Sequence, residues 1–243
     1  MPISVQTTQG IYQDILVNYL VSMARTVEAS VDRALVAILA TDVDAAEQAP
    51  GEIFLLEPRI NEMEMVIDDH AVRMLRDGNL NAEDIRQVVA TLKITNDLER
   101  MGDLAVNLAE RVVSLAGMRP VAQPPELEPM VEAVGAMVKK SLGALIFQSV
   151  VLAGEVLESD DLVDRYRDQI FERLMSTMTE RPAEIGPNLQ FILASRYLER
   201  LADHATNIAE DIIFWVRGLD VRHGRGLEAA TQGSQAQAVT ENS

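Results

Sequence analysis

An all-α fold of two tandem, similar, antiparallel three-helix bundles is predicted by three observations. Apolar residues recur at three- and four-residue spacing almost throughout the 243-residue chain. Its 13 glycines and 9 prolines are too few for many short strands with a turn after each. And a stretch of the chain returns about a hundred residues later, the mark of a duplicated unit.

Six helices are expected. The first runs from about Ile11 to Ala40. Thr41, three residues before Asp44, reads as the N-cap of the second, which extends to about Arg76 with Pro50, Gly51 and Pro58 inside it. Proline removes a helical hydrogen bond, so this segment is expected to be kinked or to form two helices. Asp77-Gly78-Asn79 is a turn, and Asn81 caps a third helix from Ala82 to about Leu115. Gly117 to Pro125, with Pro120, Pro124 and Pro125, is the clearest linker. A fourth helix follows from about Glu126 to Leu157, a fifth from Asp160 to Thr179 and, after Pro182, Gly186 and Pro187, a sixth to Gly218. The domain reading is residues 1–117 for the first bundle, 118–125 for the linker and 126–218 for the second bundle. Residues 219–243, rich in Ala, Gln, Gly, Ser and Thr, read as a disordered polar tail. A helix of about 35 residues is about 50 Å long, so the bundles should be elongated.

Composition narrows function. With 38 acidic and 21 basic residues the net charge is −17, which argues against nucleic-acid binding and fits cationic partners or metal ions. Cysteine is absent, which excludes disulfides, Cys-ligated metal and thiol catalysis. No signal peptide or bilayer-length apolar run is legible, so the expected location is the cytoplasm.

The duplicated stretch carries the chemistry. Leu98-Glu99-Arg100-Met101-Gly102-Asp103 continues to Asn107 and Ala109-Glu110. Leu198-Glu199-Arg200-Leu201-Ala202-Asp203 continues to Asn207 and Ala209-Glu210. The offset is 100. A weaker echo links Glu57-x-x-Ile60-Asn61 to Asp160-x-x-Val163-Asp164 at an offset of 103. At about 100° per residue, Asp103, Asn107 and Glu110 fall about 40°, 80° and 20° from Glu99, while Met101, Leu104 and Leu108 cluster on the far side. Glu199, Asp203, Asn207 and Glu210 repeat the stripe. The carboxylates are therefore expected outside the bundle, opposite the core. A solvated acidic face is the plain reading. Against it, like charges four residues apart destabilise a helix by a few tenths of a kcal/mol, the stripes contain no Lys, and the pattern occurs twice. A bound cation would offset that cost, and carboxylate and amide oxygens suit hard ions such as Mg²⁺, Mn²⁺, Ca²⁺ or iron. The Glu57/Asn61 and Asp160/Asp164 pairs could converge on the same faces. His204 reads as a bundle-edge residue. No Glu-x-x-His, Gly-rich phosphate loop, G-x-S-x-G or H-E-x-x-H occurs. The alternatives are a carboxylate-bridged metalloenzyme and a metal-free acidic helical scaffold.

The repeated Leu-Glu-Arg-x-x-Asp-x-x-x-Asn-x-Ala-Glu, with Arg196-Tyr197 leading into its second copy, strongly resembles the PhoU family of phosphate-signalling accessory proteins, over about Ile11 to Gly218. Glu57-Pro58-Arg59-Ile60-Asn61 and Asp160-Asp161-Leu162-Val163-Asp164 look like the family's second-helix motifs. The resemblance implies multinuclear iron or zinc clusters on the bundle surfaces, with manganese or magnesium the alternative. The E/D-x-x-x-D motifs that hold them map onto Glu99/Asp103 and Glu199/Asp203. It also implies a non-enzymatic negative regulator of phosphate uptake and phosphate-starvation signalling. Such a regulator links the ATPase subunit of the phosphate ABC transporter to the phosphate-sensing histidine kinase, commonly as a homodimer or larger oligomer. Pro50-Gly51 departs from the family pattern, and so does His204 where the first copy has Leu104.

Overall fold

The computed structural model describes residues 8–40, 43–77 and 80–222. Among them there are seven α-helices and no strand: α1 (Thr8–Leu39), α2 (Val43–Asp77), α3 (Ala82–Ala116), α4 (Leu127–Phe147), α5 (Val150–Leu157), α6 (Asp160–Glu180) and α7 (Ile185–Arg217). A 3-10 turn, Pro182–Glu184, precedes α7. The expected cap Thr41 lies outside the described residues, as do residues 223–243 of the expected tail.

Two boundaries differ from the sequence reading. First, α2 is one continuous helix through Pro50 and Pro58. Pro58 denies a hydrogen bond to the carbonyl of Phe54, but both residues are exposed, so water can take the partner's place. Second, the fourth predicted helix is two. Gln148 adopts a left-handed conformation (φ 49°), and the Ser149 N–H donates to the Ala144 carbonyl at 2.9 Å, closing α4 in a Schellman arrangement. The Ser149 hydroxyl then accepts from the Leu152 N–H at 3.3 Å, capping α5. Asn81 caps α3 as expected: its Oδ1 accepts from the N–H groups of Glu83 and Asp84 at 2.8 and 3.0 Å. The Asp84 carboxylate accepts from the Asn81 N–H in return.

Helices α1, α2 and α3 pack on one another, as do α4 to α7. The two sets meet where α3 lies against α7 and α1 against α4. In the α3–α7 seam, Lys93 pairs with Asp211 at 2.7 Å and the Arg111 Nη1 donates to Gln190 at 3.1 Å. The positions rise along one helix as they fall along the other, so the two are antiparallel. Met101 and Leu201, at matching positions of the repeat, lie between these pairs and are fully buried. The duplicated units are thus joined back to back through their motif helices, in one continuous apolar core. The Pro-rich linker straps this joint: the Gln123 amide donates to the Ile38 and Leu39 carbonyls at the end of α1.

Two glycines allow close approach. A Cβ at Gly102 would stand 3.0 Å from Ile60 Cδ1, so its absence lets α3 press on α2. Gly218 ends α7 in the left-handed region (φ 69°), where a Cβ would stand 2.6 Å from the Arg86 guanidinium. The chain stays packed beyond it: Val221 is buried, so the expected tail begins with folded residues. No helix among the described residues is long and apolar enough to cross a membrane.

Candidate functional site

The two acidic stripes form two grooves, one between α2 and α3 and one between α6 and α7. Glu110, Asp203 and Asn207 are exposed as the helical wheel suggests, but the glutamate that opens each stripe does not stand opposite the core. Glu99 and Glu199 have side-chain exposures of 15% and 22%. Each motif helix has neighbours on several sides, α1, α2 and α7 in the case of α3, so its buried arc is wider than the apolar arc. Glu99 and Glu199 fall on the shoulder, turned towards α2 and α6.

In the first groove Glu57, Asn61 and Glu64 of α2 approach Glu99 and Asp103 of α3. The Asn61 amide donates to Glu57 Oε1 at 2.6 Å. Asn61 Oδ1 and Glu99 Oε2 are buried without a hydrogen-bond partner. Arg100 Nε stands 3.3 Å from Glu99 Oε2 and its Nη1 3.4 Å from Asp103; the first approach is a charge contact without a directed hydrogen bond. The Glu99 carboxyl is pushed above the ordinary carboxylate range, first by burial and then by the charges of Asp103, Glu64 and Glu57, against the pull of Arg100. Glu64 is raised as well, by burial and by Asp68.

In the second groove Asp160 and Asp164 of α6 approach Glu199 and Asp203 of α7. Partial burial and then Glu199, Asp160 and Asp164 raise Asp203. Burial and then Asp164 raise Asp160, whose Oδ1 is 3.5 Å from the Thr206 hydroxyl. Here the cation comes from the outer helix rather than from the motif helix: the Arg167 guanidinium contacts Glu199 at 2.5 Å and Asp164 at 3.2 Å.

That difference is written in the sequence. At the offset of 103 that relates Glu57 to Asp160, Arg167 matches Glu64. One repeat places a carboxylate where the other places a guanidinium, but Asp164 in turn stands where the first repeat has Asn61 and Arg100 serves the first groove, so each groove keeps four carboxylates and one arginine in a different arrangement. Glu64 and Arg167 are both absent from the motif-based set of site residues. The signal was available: Glu64 lies one heptad after Glu57 and Arg167 one heptad after Asp160, which keeps each on the same helix face.

Asn207 does not join the groove carboxylates: its amide turns to Asp97 across the α3–α7 seam at 3.3 Å. His204, half-buried, also faces Asp97, with Nδ1 2.7 Å from Oδ1. It ties the two repeats together rather than serving the grooves. Among the described residues, no three carboxylate or imidazole groups converge closely enough to hold a metal ion as the side chains stand. The donor chemistry nonetheless suits a hard cation, and Asn61 Oδ1, buried without a hydrogen-bond partner, is an oxygen that a cation would satisfy. An apolar recess of about 390 Å³ beneath the linker, lined by Ile38, Val112, Met118, Arg119 and Phe191 among others, contains no carboxylate and is separate from both grooves.

Comparison with known proteins agrees with this architecture. The PhoU domain family matches the chain twice, over residues 20–112 and 127–212, which are the two helical repeats. The phosphate-specific transport system accessory protein PhoU homolog of Pseudomonas putida is 35% identical over 226 residues, 92% of this chain and 86% of that protein. The homolog of the same name from Aquifex aeolicus is 35% identical, covering 84% of this chain and 90% of its own. The crystal structure of PhoU from Pseudomonas aeruginosa superimposes with a TM-score of 0.79 at 34% identity, covering 86% of this chain and 99% of that one. The structure of the phosphate transport system regulatory protein PhoU from Streptococcus pneumoniae, 23% identical, shares the fold with a TM-score of 0.77, covering 88% and 99%. With a PhoU domain matched in each repeat and relatives of this identity along most of its length, the chain belongs to the PhoU family.

Proposed function

We propose that this protein is a non-catalytic regulator of phosphate uptake and phosphate-starvation signalling, acting in the cytoplasm on the phosphate ABC transporter. The observation that carries the reading is the family match in both repeats, with curated relatives named as accessory proteins of the phosphate-specific transport system. In this reading it engages the transporter's ATPase subunit and the phosphate-sensing histidine kinase, as a homodimer or larger assembly, and represses the starvation response when phosphate is plentiful.

Metal belongs to the same proposal. Glu57, Asn61, Glu99 and Asp103 would hold iron or zinc in the first groove, and Asp160, Asp164, Glu199 and Asp203 in the second. There the ion would supply positive charge on an otherwise acidic face. Arg167 provides such charge in the second groove and Arg100 in the first; the buried Asn61 Oδ1, which has no hydrogen-bond partner, makes the first the stronger candidate. Asn107 would add an oxygen to the first site, and Asn207 would have to leave Asp97 to join the second.

Deleting the gene and following a phosphate-starvation reporter in phosphate-rich medium tests the regulatory role. Constitutive expression, reversed by the wild-type gene, is expected; a reporter that stays silent overturns the reading. Affinity purification from cells grown in excess phosphate should retain the transporter's ATPase subunit.

A further inference from the structure

Between α1 and α2 lies a recess of about 510 Å³, lined by Asn18, Ser22, Arg25 and Thr26 of α1 and by Leu56 and Arg59 of α2. No carboxylate lines it, and it holds none of the oxygens assigned to metal. Two contacts tie the helices on either side of it. Tyr19 stacks on His70 with ring centroids 5.5 Å apart, and Arg33 pairs with Glu52 at 2.5 Å. The helices are therefore antiparallel. Arg25 lies about two turns before Arg33, and Arg59 about two turns after Glu52, so both reach one level of the seam. Arg33 has a carboxylate across that seam, whereas Arg25 has a second guanidinium. Among the described residues neither Arg25 nor Arg59 is paired with a carboxylate. Two like charges thus share one recess, in a chain of 38 acidic and 21 basic residues, and repel each other there.

The second repeat shows that the fold does not require this lining. At an offset of 111 the buried positions of α1 fall on those of α4: Leu16 on Leu127, Leu20 on Val131, Val27 on Val138 and Ser30 on Ser141. In that register Asn18, Ser22, Arg25 and Thr26 become Pro129, Ala133, Ala136 and Met137. At the offset of 103 between α2 and α6, Arg59 becomes Leu162. The core is kept in both repeats, while the polar, cationic lining belongs to the first alone.

A guanidinium presents its N–H donors in a rigid planar fork that fits the oxygens of an oxyanion in pairs. The Asn18 amide and the Ser22 hydroxyl add donors; the Thr26 hydroxyl already donates to the Ser22 carbonyl at 3.0 Å. A phosphoryl group carries about −1.5 to −2 charge at neutral pH, which matches two guanidinium charges where one carboxylate matches only one. The volume is in the range that takes a small organic molecule, and half-buried Leu56 offers it an apolar contact. At physiological salt exposed charges are screened beyond about 8 Å, so the arginines, not the distant acids, set the local field. We propose that the α1–α2 recess binds a phosphoryl group, as the free ion or as a small phosphate monoester, between the guanidinium groups of Arg25 and Arg59. The site goes beyond the regulatory reading and does not rest on it.

The test is isothermal titration calorimetry of the full chain at constant ionic strength, with chelator present so that no phosphate is held through metal. The probes are inorganic phosphate and phenyl phosphate. At least one should bind at one site per chain with a dissociation constant of about 1 mM or below. Tighter binding of phenyl phosphate assigns the recess to phosphate esters, and equal or tighter binding of inorganic phosphate assigns it to the free ion; both support the proposal. Arg25→Gln and Arg59→Gln should each weaken binding about tenfold or more. Arg165→Gln, which removes an exposed arginine outside the recess, should leave it unchanged. Both recess arginines are exposed, so the helical circular dichroism should be retained; Arg25→Lys with Arg59→Lys is a milder form that keeps the charge and loses the fork, and its affinity should be intermediate. No saturable binding of either probe at about 10 mM, indifference to the Arg25 and Arg59 variants, or equal loss in Arg165→Gln overturns the proposal. So does a glutamate-rich peptide that binds through these two arginines when neither phosphate probe binds, since the occupant would then be an acidic protein segment. The measurement needs neither transporter nor starvation reporter, so its failure leaves the regulatory reading standing.

Discussion

Replacing Glu99 and Asp103 by Gln and Asn should make the metal-free protein slightly more stable and abolish its stabilisation by metal. The two residues are a like-charged i,i+4 pair on α3, with Glu57 and Glu64 adding to the repulsion on Glu99. Such pairs cost about 0.2–0.5 kcal/mol each. Arg100 offsets part of this, but the Glu99 carboxyl remains raised with Arg100 included, so the net effect of its charge is unfavourable to the fold. For a chain of this length about 1 kcal/mol moves the midpoint by about 2–4 °C, so the metal-free variant should melt about 1 °C higher than wild type. With metal at a hundred times its dissociation constant, a bound site contributes about 2.7 kcal/mol, or about 5–11 °C. Scanning fluorimetry in chelator and then in iron or zinc, with elemental analysis of the purified protein, reads both effects. A variant that keeps the wild-type metal shift would refute the assignment of metal to this groove. A metal-free variant destabilised by more than about 1 kcal/mol would refute the electrostatic argument.

Other consequences follow from the seam and from the raised carboxyls. Met101→Ala, at the fully buried crossing of α3 and α7, should cost about 2–5 kcal/mol in denaturant unfolding; a loss below about 1 kcal/mol would mean the repeats are not held there. Lys93→Met leaves the Asp211 carboxylate, with side-chain exposure of 10%, without its cation, and should cost about 1–3 kcal/mol. Adding Asp211→Asn should recover part of that, since burial already raises Asp211 against the pull of Lys93. Glu64, Glu99, Asp160, Asp203 and Asp211 all have folded-state pKa values above their unfolded ones. Their ionisation therefore opposes folding fully above those raised values and not at all below the ordinary carboxylate range. The metal-free melting midpoint should accordingly rise as pH falls from neutral to the top of the carboxylate range. It should drop at lower pH, as Glu126 loses its ionised bond to Arg173, which holds its pKa down. A midpoint that only falls from pH 7 downwards would contradict this.

Helical class, the duplication and the motif positions were legible in the sequence because each rests on a local period or a repeat. Alternating three- and four-residue spacing marks the buried face of every long helix, and Asn81 announces the start of α3 by hydrogen bonds that span only three residues. Tertiary packing decided the rest. Pro58 did not break α2, because its missing bond falls on the solvent side, and a wheel drawn from one sequence cannot say which side that is. Gln148 and Ser149 divided the fourth helix through a left-handed residue that only the packed chain reveals. The wheel placed Glu99 and Glu199 opposite the core because it counts one apolar face, whereas α3 and α7 each meet several neighbours and turn those carboxylates into grooves. Which oxygens share a groove, that Arg167 reaches Glu199 from α6 to α7, and that His204 and Asn207 bind Asp97 across the seam all depend on contacts between distant residues. Local sequence fixes which side chains share a helix face, but distances across helices are set by how the helices pack.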